Sequence, residues 1–270
     1  MATGGFSTQN GSIADFNSPR IEWIITVFML LGGINFGLYY SVWRGRWQDF
    51  FRDRELLTFL AIIAIATAVI TLNIWNTEPL ELHSSLLDSL RYAAFQVVGV
   101  MTTTGFGSDN FDLYPPLSKL LLVLLMFVGG MAGSTAGGMK VIRFIVIFKA
   151  IHVEIYRVFR PQVVMATRVG RAVIPPETTT AILGFFAIGI LTFAAESLYM
   201  AFLGLDIVTA VTAVSATLFN IGPGLAKVGS IENFAFIPTS GKLVLSFGMI
   251  LGRLEFLTIL VLFLPEFWRR

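Results

Sequence analysis

The sequence predicts an all-α membrane protein of pore-loop repeats, each with an outer helix, a re-entrant half-helix, a glycine-containing loop and an inner helix. Three observations carry this. Of the 270 residues 55% are hydrophobic and 13% charged, with a mean hydropathy of +0.77, too apolar for a chain solvated on all sides. Long apolar runs alternate with two shorter, polar-interrupted ones. A short glycine loop recurs three times at the same point of that alternation.

Taken in order, the chain opens on Thr3-Gly4-Gly5-Phe6-Ser7-Thr8, a loop with no half-helix ahead of it. Met1 is followed by small and polar residues, so no secretory signal is expected. Crossing roughly 30 Å of hydrocarbon takes about 20 apolar residues. Spans are therefore predicted over Pro19 to Trp43, Leu56 to Trp75, Pro116 to Ile151, Thr178 to Phe202 and Ser240 to Pro265. The third run is too long for one plain helix. The shorter runs, His83 to Met101 and Asp206 to Phe219, read as half-helices, each ending in a polar glycine loop. Aligned on Gly5, Gly105 and Gly222, the loops Thr3 to Thr8, Thr103 to Ser108 and Asn220 to Leu225 match in kind, and the chain divides at 1–50, 51–165 and 166–270.

Thirteen of the 19 Lys and Arg residues lie at 44–54, at 140–171 and at the C-terminus, so these segments are expected to be cytoplasmic. The connection around the first half-helix leans acidic, with Glu78, Glu81, Asp88, Asp109 and Asp112, so the half-helices enter from outside.

Inside hydrocarbon, non-helical backbone survives only where protein or a water-filled cavity surrounds it. Glycine reaches positive φ and can turn carbonyls toward one axis, where they replace the hydration shell of a cation. A carbonyl lining without an acidic ring suits a monovalent cation. The candidate lining residues are Thr3, Gly4, Gly5 and Phe6, then Thr103, Thr104, Gly105 and Phe106, then Asn220, Ile221, Gly222 and Pro223. The ion itself is expected at Gly4, Gly5, Thr104, Gly105, Ile221 and Gly222. For any one loop the alternative is an ordinary polar turn, and for Thr102-Thr103-Thr104 it is hydroxyls bonded back to helix carbonyls.

The overlong run contains Gly129-Gly130-Met131-Ala132-Gly133-Ser134-Thr135-Ala136-Gly137-Gly138. Each glycine costs about 1 kcal/mol relative to Ala inside a helix, so the run should break here into a loop able to block or open the pathway. Its candidate gate residues are Gly129, Gly130, Gly133, Ser134, Thr135, Gly137 and Gly138. The alternative is close helix packing through the small-xxx-small pattern. Arg253, about halfway along the last run, costs about 2.5 to 3.5 kcal/mol in hydrocarbon and should face inward onto carbonyls freed by the glycine loop. Glu255, two positions on, points to another face, and snorkelling is the alternative. Lys140 and Arg143 read as vestibule or anchoring cations. Asn35, Asn73 and Glu196 read as glue between helices, and His83 and Arg91 as solvated outer residues.

No nucleotide loop, catalytic triad or metal-ligand spacing is present, and cysteine is absent. Neither an enzyme, a bound cofactor nor a nucleic-acid partner is expected.

Together TGGFST, TTTGFG, GGMAGSTAGGMKVIR, LFNIGPGL and GRLEFLTILVLFLPEFW resemble the Trk/Ktr/HKT superfamily of potassium transporters over essentially the whole chain. The resemblance implies four linked, unlike repeats around one axis and K+ as the transported ion. It implies filter glycines at Gly5, Gly105 and Gly222, a gating loop at Gly129 to Gly138 and an inner-helix arginine at Arg253. It also implies the bacterial cytoplasmic membrane and its lipid, a homodimer, and a cytosolic ring of regulatory subunits that bind NAD(H) or ATP/ADP. By the family pattern one repeat and the front of a second are expected ahead of Thr3. The chain then amounts to about two and a half repeats and is expected not to conduct selectively alone. A non-conducting interaction or scaffold role is the second reading. A tetrameric channel of one-filter subunits does not suit three unlike loops.

Overall fold

The computed structural model describes residues 5, 7–8, 11–75, 85–160, 165–170 and 172–268. A loop and a bent inner helix come first, α1 (Pro19–Gly32) and α2 (Phe36–Trp43), followed by the short α3 (Trp47–Arg52). The next unit has a long helix α4 (Arg54–Ile74), a half-helix α5 (Leu86–Met101) and an inner helix in two pieces, α6 (Pro116–Val128) and α7 (Val141–Phe159). A hairpin, β1 (Arg168–Val169) with β2 (Ala172–Val173), leads to the last unit. That unit holds α8 (Pro176–Phe202), α9 (Ile207–Leu218), α10 (Thr239–Arg253) and the short α11 (Phe256–Leu260) and α12 (Pro265–Trp268).

Local chemistry places these starts. Asp53, Ser85 and Asp206 accept from backbone N–H groups in the first turns of α4, α5 and α9, and proline opens α1, α6 and α8 at positions where its missing N–H costs nothing. Among the described helices α4 and α8, of 21 and 27 residues, are long and apolar enough to cross a membrane, and α1 with α2 makes a third if counted as one. α8 turns Leu183, Ile190, Leu191, Leu198 and Phe202 outward, whereas α5 and α9 bury Gln96, Thr209, Thr212, Ser215 and Thr217. Apolar outside and partly polar inside is what lipid selects, since tails compete with no apolar side chain and small or polar groups hold helices together. Ser118 Oγ of α6 donates to Asn73 Oδ1 of α4 at 2.7 Å, the glue expected of Asn73.

Three expectations are corrected. The run Pro19 to Trp43 is not one continuous helix: α1 and α2 meet at 89°. Asn35 starts a new helix by accepting from Gly37 N–H at 2.7 Å, and at Gly33 a Cβ would lie 2.7 Å from Thr102 Cγ2, so the bend fits closely against α5. The run from Ser240 also ends early. α10 stops at Arg253 and Glu255, at φ 63°, redirects the chain into α11, so Arg253 terminates a helix instead of lying midway along one. Arg91 is not a solvated residue. Its side chain is 12% exposed, with Nε 2.8 Å from the carboxylate of Glu22 on α1 and Nη1 3.1 Å from Asp88. The β1–β2 hairpin is a small addition to an otherwise helical chain, and His83 lies outside the described residues.

Candidate functional site

The two half-helices end alike. Past α5, Thr104 N–H bonds Gly99 O at 2.9 Å and Thr103 N–H bonds Val100 O at 3.0 Å. Past α9, Ile221 N–H bonds Ala216 O at 2.8 Å and Asn220 N–H bonds Thr217 O at 3.0 Å. This is the paired ending of a Schellman motif, which needs a left-handed residue one place beyond the cap. Thr103 at φ 51° and Asn220 at φ 57° occupy those places. The conformation is ordinary for Asn and costly for a β-branched residue, so Thr103 is held there by its surroundings.

The residues that follow meet around a common centre. Gly5, Gly105 and Gly222 have φ of 64°, 76° and 118°. A Cβ on Gly105 would run into Ile221 O and come within 3.2 Å of Pro223 Cδ; one on Gly5 would lie 2.5 Å from Thr104 O and 3.1 Å from Gly105 O. Gly222 faces Gly105 in turn, with 3.6 Å from such a Cβ to Gly105 Cα. The loops thus touch through carbonyls, with Thr103, Thr104 and Ile221 fully buried and Phe106 half-buried beside them. Thr3, Gly4 and Phe6 lie outside the described residues.

Each loop is braced by the next. Gly107 O accepts from Ile13 and Ala14 N–H at 3.0 and 3.1 Å, and Gly107 N–H donates to Ser12 Oγ at 3.1 Å. Asp112 Oδ1 accepts from Ala226 N–H at 2.7 Å, and Asp109 O from Ser230 Oγ at 2.9 Å. Burial pushes the Asp112 carboxyl above its ordinary value, while the Ala226 N–H pulls against that. Among the described residues no group of three or more His, Cys, Asp or Glu could hold a metal ion.

Below the centre, residues 129–140 form an irregular loop between α6 and α7. Gly137 is wedged under both half-helix ends: its N–H donates to Thr103 Oγ1 at 2.6 Å, and a Cβ there would lie 2.8 Å from Phe219 O. Thr102 Oγ1 does bond back to Val98 O, at 2.7 Å, and pairs with Thr104 Oγ1, whereas the Thr103 hydroxyl serves the loop. The loop fills the α1–α2 bend. Met131 and Thr135 N–H donate to Gly33 O and Gly32 O at 3.1 and 3.2 Å, and Phe36 N–H donates to Gly133 O at 3.1 Å. Gly129 and Gly138 lie back to back, Gly130 packs on Ala136, and Ser134 Oγ donates to Met131 O at 2.6 Å.

Cations sit against the loop's carbonyls. Arg253 Nη1 donates to Thr135 O at 3.1 Å and Lys140 Nζ to Ala136 O at 2.6 Å. Glu255 pairs with Arg143, at 2.6 Å, and not with Arg253. A residue that sequence reading misses is Glu55, in the first turn of α4, whose carboxylate accepts one N–H group inside the loop and one in the first turn of α7. Its partners lie far along the chain and carry no side-chain signal, because it is their backbone that bonds.

Comparison with known proteins then becomes informative. The TrkH family, described as cation transport protein, matches residues 1–270. The Trk system potassium uptake protein TrkH of Salmonella typhimurium is 39% identical over 270 residues, which is 100% of this chain and 55% of that protein, and the TrkH of Escherichia coli K12 matches to the same extent. The Trk system potassium uptake protein TrkI of Halomonas elongata is 34% identical over 272 residues, 100% of this chain and 54% of that protein. The crystal structure of the potassium transporter TrkH from Vibrio parahaemolyticus superposes with a TM-score of 0.88 at 35% identity, over 98% of this chain and 56% of that one. The chain spans about half the length of the curated relatives it matches.

Proposed function

The chain belongs to the TrkH family of cation transport proteins, and we propose that it contributes to a potassium uptake pathway across the membrane through a carbonyl filter with a glycine-loop gate beneath it. The observation that carries the proposal is the contact of three positive-φ glycines, Gly5, Gly105 and Gly222, through the carbonyls of Thr104, Gly105 and Ile221. Oxygens held this way replace the water of a permeating monovalent cation, and their number and field set which ion passes. Gly4 and Gly5 belong to the same lining in this reading. Residues 129–140, with Gly129, Gly130, Gly133, Ser134, Thr135, Gly137 and Gly138, lie across the way out, and Arg253 opposes cations there. Residues 1–50, 51–165 and 166–270 are the repeating units. The basic segments and the C-terminus face the cytoplasm of a bacterium, the filter loops face outward, and a second copy together with a nucleotide-binding ring on the cytoplasmic side completes the assembly. Its relatives are transporters, and no chemistry is assigned to the chain.

Ion flux tests the filter. Vesicles holding the chain assembled into a complete pathway should pass K+, and Gly105→Ala, which drives a methyl group onto Ile221 O, should cut that flux by about tenfold or more. Flux indifferent to the substitution would overturn the filter assignment. Binding to a full-length relative with no flux of its own would favour the scaffold role.

A further inference from the structure

We infer that Glu55 is the positioning residue of the intramembrane glycine loop, holding it with one carboxylate oxygen at two points. Glu55 lies in the first turn of α4 and is buried. Its Oε1 accepts Ala132 N–H, inside the loop, at 2.8 Å and Ile142 N–H, in the first turn of α7, at 3.2 Å.

α7 has no cap of its own. Lys140 precedes it at φ 60° with no side-chain bond to the helix. Of the first-turn donors, Val141 N–H goes to Gly130 O at 3.0 Å and Arg143 N–H turns back to Lys140 O at 3.1 Å, which leaves Ile142 N–H to the carboxylate. A carboxylate at a helix start meets unpaired N–H groups and the positive end of the helix dipole, and here one carboxylate sits at two helix starts, α4 and α7. The loop's other described bonds run to backbone, hydroxyl and cationic groups, so Glu55 is the anion among them. Hydrogen bonds to an ionised group are about twice as strong as neutral ones, which places this contact with the Lys140 and Arg253 bonds among the loop's strongest ties.

Glu55 also lines an open cleft of about 860 Å³, together with Asp53, Arg54, Ile142 and Gly170 of the hairpin turn. The consequence for flux rests on the gate reading above; the positioning itself does not.

The chain contains no cysteine, so Ser134→Cys places a single thiol in the loop. In vesicles, a membrane-impermeant maleimide should label it about tenfold faster with Glu55→Ala, because two buried N–H groups lose their acceptor. Glu55→Asp keeps the charge but falls one methylene short, and should label faster as well. Glu55→Gln keeps an acceptor oxygen in place and should stay within about threefold of the parent. Labelling at the parent rate in both the Ala and the Asp variants overturns the assignment. Ser215→Cys, fully buried in α9, reports on the whole fold. Where Glu55→Ala also unmasks that thiol, the Asp and Gln variants decide: faster labelling at position 134 with Asp alone supports the tie, and equal labelling in the two overturns it. K+ flux in the same vesicles separates the two proposals. Faster labelling with unchanged flux keeps Glu55 as the loop's anchor and removes the loop as gate.

Discussion

Thr103 occupies a left-handed backbone position that threonine rarely takes, and the Gly137 N–H bonded to its hydroxyl explains why. Thr103→Val keeps the shape and removes the acceptor, leaving a buried N–H unpaired at a cost of about 1–3 kcal/mol. Thr103→Ser should behave as the parent. Thermal unfolding in detergent reads both, and a Val variant as stable as the parent would show that the bond contributes nothing. The Glu22–Arg91 pair gives a sharper test, because Glu22 is buried and Arg91 is largely covered. Arg91→Met alone leaves a lone carboxylate between α1 and α5 and should cost about 3–5 kcal/mol, whereas adding Glu22→Gln should restore much of the loss. A double variant no better than the single one would mean that the pair acts through something other than charge compensation.

At the scale of elements, apolar run length located α4 and α8 to within two or three residues, and the polar interruptions located α5 and α9. It could not locate the ends of α1 and α10, because an apolar run reports surroundings and not continuity. The bend after α1 is set by the Asn35 cap and by loop N–H groups bonding Gly32 O and Gly33 O, partners that arrive from the glycine run far along the chain. A signal for the first halves of the inner helices was present but unused: Pro19 and Pro116 open α1 and α6, Pro238 precedes α10, and the helices so begun run 14, 13 and 15 residues before breaking. The turns at Gly105 and Gly222 were legible because positive φ is built into glycine itself, whereas Glu55 and the Arg91 pair were not, because their partners are chosen by tertiary packing. One local device can be tested directly. Asp206 caps α9 by accepting from Thr209 N–H at 3.1 Å, and its bonds to Thr209 hold its carboxyl below the ordinary value. A lowered folded value means that the contribution is complete above the unfolded pKa and fades as pH falls through the folded one. Asp206→Ala should cost about 1 kcal/mol at neutral pH and less in strong acid, where the protonated carboxyl keeps only a neutral cap bond. A pH-independent difference in unfolding temperature would count against the cap.

Across the whole molecule, loop 129–140 bonds to parts of all three units: the α1–α2 bend, Glu55 of α4, Thr103 after α5, and Arg253 at the end of α10. An element tied on so many sides has few intermediate positions, since releasing one tie leaves buried polar groups that the others cannot satisfy. Arg253 is the tie from the last unit, and two of its properties can be separated. In the proposed gate it would repel passing cations as a charge; as a donor it bonds Thr135 O. Arg253→Ala removes both and should raise K+ leak through the assembled pore by about tenfold, in proportion to a lost charge-assisted bond. Arg253→Gln keeps a donor of shorter reach without the charge. Low leak in the Gln variant would assign the effect to loop positioning, and high leak in both would assign it to charge, whereas parent-like leak in Arg253→Ala would remove Arg253 from the gate altogether.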